Sequence, residues 1–526
     1  MSEDRVDPQD GHGEIRSRLF RSTASNYVFL LLRLIIGVLL TRVLFLSLPR
    51  QEYGFWVLMW SVFGYALLLD FGFGSALQKY ASQATVHGDW SDFNRRFSTV
   101  FFVYCGMSVL IAVVTLGSQP ILARALRLEG SPEHIAHLEK TFLLFGLGRA
   151  LLFPLGAFAE VLTGLHRIHL RNVIAALSLL VTAVLLMGIV QLQLGLVAMV
   201  AASLVVELTT YVAMAVLVRR VVSDFRIGWG LFDRRLVASI MSFCIFAYMI
   251  TLSHLVILQT DELVISALLS VSLVGTYHVV WRVSNIFQQA STQLLDGLGP
   301  VAATLFQSND HDRLKNTLLQ SGRVVGAIAT FLFVPLLVYL KPLLKIWLEL
   351  ESPSAYHSGI LLLVSAYLMV VFKMTTARVL LMCEREKILA VLALAEGLLN
   401  LGLSVVFCLF TQLGIVGVAL GTLIPSVVLA AGFYTPLACR FASVSAFQYL
   451  RQTLSGVLLS GGVAAVVYVA CREAAPPESL GALVLNGIPG TAVLAGSFLL
   501  VGMNARERQQ LYALVYRGAL GGERAQ

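Results

Sequence analysis

The sequence predicts an all-α protein that crosses a membrane about fourteen times. Of its 526 residues, 57% are apolar and 13% are charged, whereas soluble domains have roughly 45–50% apolar and roughly 25% charged residues. Its apolar blocks are about as long as the roughly 20 residues that cross a bilayer as a helix. They are too long and too uniformly apolar for barrel strands, and helices satisfy their own backbone hydrogen bonds in lipid. This composition excludes a cytosolic enzyme, a nucleic-acid binder and a secreted disulfide-rich domain, despite the net charge of +8.

The apolar blocks divide the chain into two lobes of six helices and a C-terminal pair. The predicted spans are 23–46, 54–78, 98–120, 141–163, 170–190, 196–218, 237–268, 275–298, 321–345, 359–380, 388–410, 415–438, 447–470 and 481–503. The predicted segments are a tail at 1–22, an N-lobe with helices 1–6 at 23–220, a C-lobe with helices 7–12 at 221–440, helices 13 and 14 at 441–504, and a tail at 505–526.

An internal repeat supports the two lobes. A shift of about 220 residues lays Gly54 and Trp60 on Gly275 and Trp281, and similar shifts align further short segments. Six spans return the chain to the same side of the membrane. The two copies should therefore point the same way and be pseudo-symmetric about an axis along the membrane normal, with binding expected between them.

The distribution of basic residues predicts the topology. Most of the 38 Lys and Arg residues fall in loops on the side that both termini share. Cytoplasmic loops carry the excess of basic residues, so both termini are predicted to be cytoplasmic. The first apolar block lacks a small-residue cleavage site and should be retained as a span.

The motifs of soluble catalysis are absent from the sequence. There is no Walker A loop, HExxH motif or complete GxGxxG motif. Asp310 and Asp312 form a DxD pattern, but their loop is too short for a nucleotide-binding domain. We therefore expect no enzyme activity, no cofactor and no metal.

Basic and polar residues inside the predicted spans are the first set of candidate site residues. An isolated charge in the bilayer costs roughly 2.5–3.5 kcal/mol or more, so each such residue indicates function or a buried ion pair. Both interpretations are open for the arginines. The candidates for substrate binding are Arg33, Arg149, His254, Arg282, Asn285 and Gln289. Arg42 and Lys373 lie nearer helix ends and are expected to snorkel toward water.

Acidic residues inside the spans form the second set. They can pair with the arginines, or they can bind a proton or sodium ion that drives transport. The candidates for ion coupling are Glu207, Glu396, Asp70 and Asp296.

Four segments of the first half of the chain carry a family pattern. They are LPRQEYGFW from Leu48, LLLDFGFGSALQKYAS from Leu67, LTGLHRIHLRNVI from Leu162 and QLGLVAMVAA from Gln193. These segments resemble bacterial polysaccharide and O-antigen (Wzx-like) flippases of the multidrug/oligosaccharidyl-lipid/polysaccharide (MOP) exporter superfamily, and the resemblance covers most of residues 20 to 440 as a pattern. The resemblance implies a MATE/MOP-like fold, a cationic cavity and alternating access. Arg33, Arg149 and Arg282 are the candidates for the cationic groups by their positions in spans 1, 4 and 8.

The same resemblance implies the activity. The expected function is to move a polyprenyl-diphosphate-linked oligosaccharide across the bacterial inner membrane, for lipopolysaccharide O-antigen or another surface polysaccharide. Expected partners are this lipid-linked glycan, membrane lipids, H⁺ or Na⁺ as a coupling ion, and the polysaccharide polymerase or export machinery. An ion-coupled multidrug exporter is the main alternative. A membrane glycosyltransferase, polymerase or ligase is disfavoured because the loops are short.

Overall fold

The computed structural model describes residues 8–292, 311–383, 385–502 and 508. Every regular element in these residues is helical. The chain divides into two compact units, Met1–Thr276 (unit 1) and Tyr277–Gln526 (unit 2).

The described residues of unit 1 form nine helices and the start of a tenth. They are α1 (Pro8–Ser47), α2 (Arg50–Gly64), α3 (Phe73–His87), α4 (Trp90–Ala125), α5 (Pro132–Leu152), α6 (Ala157–Gly164), α7 (Ile168–Gln191), α8 (Gly195–Val221), α9 (Arg234–Leu268) and α10 (Val271–Thr292). Short 3₁₀ turns occur at Tyr65–Asp70, Phe153–Gly156 and Trp229–Leu231.

Unit 2 takes up the rest of α10 and the helices that follow it. They are α11 (His311–Leu348), α12 (Pro353–Leu368), α13 (Thr375–Met382), α14 (Glu386–Phe410), α15 (Ile415–Leu429), α16 (Thr435–Phe441), α17 (Ala446–Ala474) and α18 (Leu480–Ser497). Turns of π-helix occur at Met369–Met374, Ala430–Tyr434 and Phe498–Gly502.

The helices confirm an all-α, multi-pass membrane protein. Twelve stretches of the described residues are long and apolar enough to cross a bilayer. The two other predicted spans, 237–268 and 275–298, coincide largely with α9 and α10. Both spans include residues whose side chains the structure does not describe. The prediction of about fourteen spans therefore stands as an approximate count.

Two breaks in the helices of unit 1 position acidic residues. After the 3₁₀ turn that ends at Asp70, Phe71 and Gly72 have φ values of 48° and 80°. Glycine adopts this left-handed backbone without steric strain, which lets α3 begin in a new direction. The second break is the turn Phe153–Gly156, which carries Pro154 and separates α5 from α6.

The packing of unit 1 continues beyond the predicted lobe boundary at 220 and 221. The Asn94 amide donates to the carbonyl oxygen of Asp224 at 2.6 Å, and Thr99 Oγ1 accepts from the Asp233 amide at 3.1 Å. α9 then packs against α2, α3 and α4. Gly54 and Gly275 lie against each other, with a Cβ on Gly275 only 3.3 Å from the Gly54 nitrogen. The boundary at 220 and 221 remains a prediction from the repeat.

In unit 2, the first two π-turns lie side by side. A π-turn shifts the backbone hydrogen bonds and leaves carbonyl groups without their usual partners. Thr435 Oγ1 donates to the carbonyl oxygen of Phe372 at 2.9 Å, and the Tyr449 hydroxyl donates to that of Val371 at 3.5 Å. These side chains satisfy carbonyl groups in the middle of an apolar unit, which stabilises the bend.

Candidate functional site

Unit 1 contains a cavity of about 590 Å³ that is lined by residues from seven of its described helices and two 3₁₀ turns. Many of the lining side chains are polar, although the surrounding spans are apolar. They are Asp70, Ser75, Gln78, Tyr104, Arg149, Glu160, Arg171, Asn172, Glu207, Thr210 and Tyr211. Burying so many polar groups is unfavourable unless they pair with one another or bind something.

Two carboxylates, Asp70 and Glu160, converge at one end of the cavity. Asp70 accepts hydrogen bonds from the Tyr104 hydroxyl and from the Gly74 amide, the latter at 3.0 Å. Glu160 accepts from the Gln78 amide at 2.5 Å. A Cβ placed on Gly74 would lie 3.2 Å from Glu160 Cγ and 3.5 Å from Asp70 Oδ1. Because Gly74 has no side chain, the carboxyl groups of Asp70 and Glu160 can both lie beside it.

Arg149 and Glu207 form an ion pair in the same cavity. Arg149 Nη1 lies 2.5 Å from Glu207 Oε1 and 2.6 Å from Oε2. The side chains are 21% and 22% exposed. The Arg149 guanidinium also lies 5.5 Å from the ring centroid of Trp60. The sequence predicts a substrate role for Arg149 and a coupling role for Glu207, and the structure brings the two together as partners.

Several cavity residues are absent from the sequence-predicted site. Arg171 and Asn172 sit near the start of α7, where the charge pattern indicated only a basic loop. Arg171 Nη1 donates to Thr163 Oγ1 at 2.9 Å, which holds its side chain. Gln78 and Tyr104 are identified as site residues only by the hydrogen bonds that they donate to Glu160 and Asp70. The breaks at Asp70 and Pro154 bring these residues together, and hydropathy does not report such breaks.

Other predicted residues lie elsewhere. Arg33 is exposed on α1 and does not line this cavity, although Phe29, one turn earlier, does. His254 belongs to α9, but its side chain lies outside the described residues, as does the whole of Asp296.

Three predicted residues, Arg282, Asn285 and Gln289, lie on the part of α10 that belongs to unit 2. Arg282 is half-buried. About two turns further along, Gln289 donates a hydrogen bond to Asn285. These roles in substrate binding remain predictions.

Glu396 lies in a second buried ion pair, in unit 2. Lys373 Nζ is 2.5 Å from Glu396 Oε2, and the two side chains are 12% and 1% exposed. Ser426 donates to Glu396 Oε1 at 3.3 Å, and Nζ lies 5.1 Å from the centroid of the Tyr434 ring. The expectation that Lys373 snorkels is wrong, because the π-turn that carries it points its ammonium group at a buried acid.

The chain thus combines long apolar helices with a polar cavity inside unit 1. A family model described as "Polysaccharide biosynthesis protein" matches residues 39–349, more than half of the chain. This protein belongs to that family. The match confirms the expected place in a polysaccharide-biosynthesis family, and the solved structures below show the expected MATE/MOP-like fold.

Solved structures show the same fold at low sequence identity. The lipid II flippase MurJ in an inward closed conformation has a TM-score of 0.69 and 13% identity, covering 91% of this chain and 98% of that one. An inward-facing MATE family multidrug resistance transporter has a TM-score of 0.67 and 16% identity, covering 78% and 95%. A MOP superfamily transporter from Pyrococcus furiosus has a TM-score of 0.57 and 16% identity, covering 81% and 96%. No curated protein matches the chain in sequence.

Proposed function

We propose that this protein moves a polyprenyl-diphosphate-linked oligosaccharide from the cytoplasmic to the outer leaflet of the bacterial inner membrane by alternating access. Both termini lie in the cytoplasm in this proposal. The glycan then enters the synthesis of a cell-surface polysaccharide, and the polymerase or export machinery receives it. The family supports the polysaccharide pathway, and the MurJ-like fold supports the transport of a lipid-linked substrate.

The observation that carries this proposal is the cavity in unit 1, which places two guanidinium groups inside an apolar bundle. Arg149 and Arg171 both line it. Guanidinium groups bind diphosphate oxygens through paired, charge-assisted hydrogen bonds. At about 590 Å³ the cavity has the size of a small-molecule site. It accommodates the diphosphate and the nearest sugars rather than a whole glycan.

Substrate binding in this mechanism exchanges the partner of Arg149. The diphosphate displaces Glu207 from the guanidinium, which leaves this carboxylate without its cation, an unfavourable state that limits how tightly the substrate is held. The remaining predicted residues, Arg33, His254, Arg282, Asn285 and Gln289, are proposed to contact the rest of the substrate.

We place the coupling cation at Asp70 and Glu160. Among the described residues, neither carboxylate forms an ion pair with Lys or Arg, whereas Glu207 pairs with Arg149 and Glu396 with Lys373. Two neighbouring carboxylates repel each other when both are ionised, and a shared proton or a sodium ion removes that repulsion. Of the three predicted coupling residues that the structure describes, Glu207 and Glu396 already have a basic partner, so both are weaker candidates than Asp70.

Native mass spectrometry of the gently purified protein tests the substrate class. We expect a co-purifying species whose mass fits a polyprenyl diphosphate bearing sugars, released when Arg149 and Arg171 are both changed to Gln. The matched control is Arg124→Gln, at an exposed position near the end of α4, which should retain the species. If the purified protein instead carries only a small organic cation, the flippase proposal fails.

The alternative function is an ion-coupled multidrug exporter. It is favoured by the three carboxylates in the cavity and by the fold shared with MATE transporters. A cationic drug would bind the acids and be repelled by Arg149 and Arg171. Drug efflux that persists in cells lacking any lipid-linked glycan pathway would support this alternative.

The paired variant Asp70→Asn, Glu160→Gln tests the coupling site. We expect transport of a labelled lipid-linked glycan in proteoliposomes to lose its response to an imposed proton or sodium gradient. The transport rate under the gradient should fall on the order of tenfold relative to the wild type, because a coupling free energy of about 1.4 kcal/mol corresponds to a factor of ten. Glu473→Gln, at an exposed site on α17, serves as the control and should keep the response. Full gradient dependence in the paired variant would remove these acids from the coupling role.

A further inference from the structure

A second polar groove lies in unit 2, away from the cavity described above. It has a volume of about 510 Å³ and runs between α11, the first turns of α17 and the last π-turn. Two arginines and three uncharged polar residues line it, together with Phe447 and a glycine-rich floor. The polar set is Arg323, Gln448, Arg451, Gln452 and Ser455.

The floor of the groove is made by a close crossing of two backbones. A Cβ on Gly456 would lie 2.7 Å from the Gly502 Cα and 2.9 Å from the Val501 oxygen. Real Cβ atoms do not approach a backbone so closely, so only glycine fits at this crossing. The two glycines therefore let the last π-turn pack directly on α17, and the polar residues line the groove beside this crossing.

The two arginines give the groove a positive charge. Arg323 Nε donates to the carbonyl oxygen of Gln452 at 2.9 Å, which fixes the guanidinium on one wall. Arg451 is exposed on the other wall, and its carbonyl oxygen accepts from Ser455 at 2.5 Å. Among the described residues that line the groove, none is acidic. Such a site selects an anion with several oxygen acceptors, and a phosphate group meets that description.

Apolar side chains continue from the groove along the outer surface. Phe447 is 74% exposed at its rim, and Leu458 and Leu459 are exposed further along α17, as is Leu500 in the last π-turn. Within a membrane-spanning helix these side chains face lipid. A ligand with a phosphate headgroup and acyl chains would therefore satisfy both surfaces, whereas a free anion would use only the groove.

We propose that this groove binds the phosphate headgroup of an anionic phospholipid, with the acyl chains against Phe447 and the neighbouring leucines. Basic pockets between membrane helices on the cytoplasmic side are a known way of binding such headgroups. The charge pattern places both Arg323 and Arg451 on that side. The site is separate from substrate transport, and it would stabilise the packing of the C-terminal helix pair on α11.

Binding of dioleoyl phosphatidylglycerol to the purified full-length protein tests the proposal by native mass spectrometry. We expect the double variant Arg323→Gln, Arg451→Gln to bind this lipid roughly 30-fold more weakly, since each basic residue contributes about a factor of five. Arg451→Gln alone, at an exposed position that leaves the packing intact, should weaken binding by about fivefold. Arg440→Gln changes an exposed arginine outside the groove and should leave lipid binding unchanged. Inorganic phosphate added as a competitor should not displace the bound lipid.

Equal phosphatidylglycerol binding by the double variant and by Arg440→Gln would overturn the proposal. Equal binding of dioleoyl phosphatidylcholine would overturn the selection for an anionic lipid. Displacement of the lipid by millimolar inorganic phosphate, with the same dependence on both arginines, would overturn the lipid assignment and identify a free-anion site instead.

Discussion

Replacing Arg149 with Ala is expected to abolish glycan transport and to lower the stability of the protein. The guanidinium contacts both carboxylate oxygens of Glu207 within 2.6 Å, so its removal leaves an acid in the cavity without its cation. Breaking a buried pair in this way destabilises proteins by about 3–5 kcal/mol. Because both side chains are about one-fifth exposed, we expect a loss at or below about 3 kcal/mol. Thermal melting in detergent measures it.

A second substitution separates the structural role of Arg149 from its role in transport. Adding Glu207→Gln to Arg149→Ala removes the stranded charge and should restore most of the melting temperature. We expect transport to stay lost, because Arg171 alone cannot replace the two guanidinium groups that bind the diphosphate in our proposal. The control Arg124→Ala should change neither quantity. Recovery of transport together with stability in the double variant would show that the pair is only structural.

The fold could be predicted from the sequence because hydropathy acts over whole helices. Each span carries about 20 apolar residues, and errors at single positions do not change its assignment. The repeat adds information of the same kind, because it compares whole six-helix segments rather than single positions, and the two lobes that it indicates remain a prediction. The extent of a compact unit depends instead on contacts between residues far apart in the sequence, such as that between Asn94 and Asp224. The hydropathy pattern of the sequence does not report such contacts.

The candidate site was only partly predictable. Intramembrane charge identified Arg149, Glu207, Glu396 and Asp70, because any charge in lipid needs an explanation. The rule does not identify partners, since pairing depends on distances across the fold. It therefore gave Arg149 and Glu207 different roles and overlooked Glu160 as a partner of Asp70. The DFGFG segment that starts at Asp70 held a local clue, because a glycine after a polar residue in a span is typical of a broken helix.

Lys373 shows why position along a helix is a poor guide to burial. Residues near the end of a regular span reach water by snorkelling, and the regular helix predicts this for Lys373. The π-turn Met369–Met374 changes the direction of the side chain. Neither its sequence nor its hydropathy marks the turn, so the ion pair with Glu396 could only be found in the structure.

Replacing Lys373 with Met should have the largest effect on stability of any substitution considered. Glu396 is 1% exposed and Lys373 12%, so Met would fill the volume of the ammonium side chain and leave a fully buried carboxylate without its cation. We expect a loss of about 3–5 kcal/mol, seen as reduced membrane-inserted protein and a lower melting temperature. Lys341→Met, at an exposed position on α11, is the matched control and should behave as wild type.

The double variant Lys373→Met, Glu396→Gln decides what the pair does. A neutral amide at position 396 keeps a hydrogen-bonding group toward Ser426, which donates to Glu396 at 3.3 Å, and it removes the buried charge. Replacing a buried ion pair with neutral groups of similar volume is often close to neutral for stability. We therefore expect the melting temperature to recover. Transport and its response to an ion gradient should recover with it, because Asp70 and Glu160 carry the coupling cation in our proposal. A double variant that is stable but no longer responds to the gradient would instead assign the coupling role to Glu396, with Lys373 as the cation that the driving ion must displace.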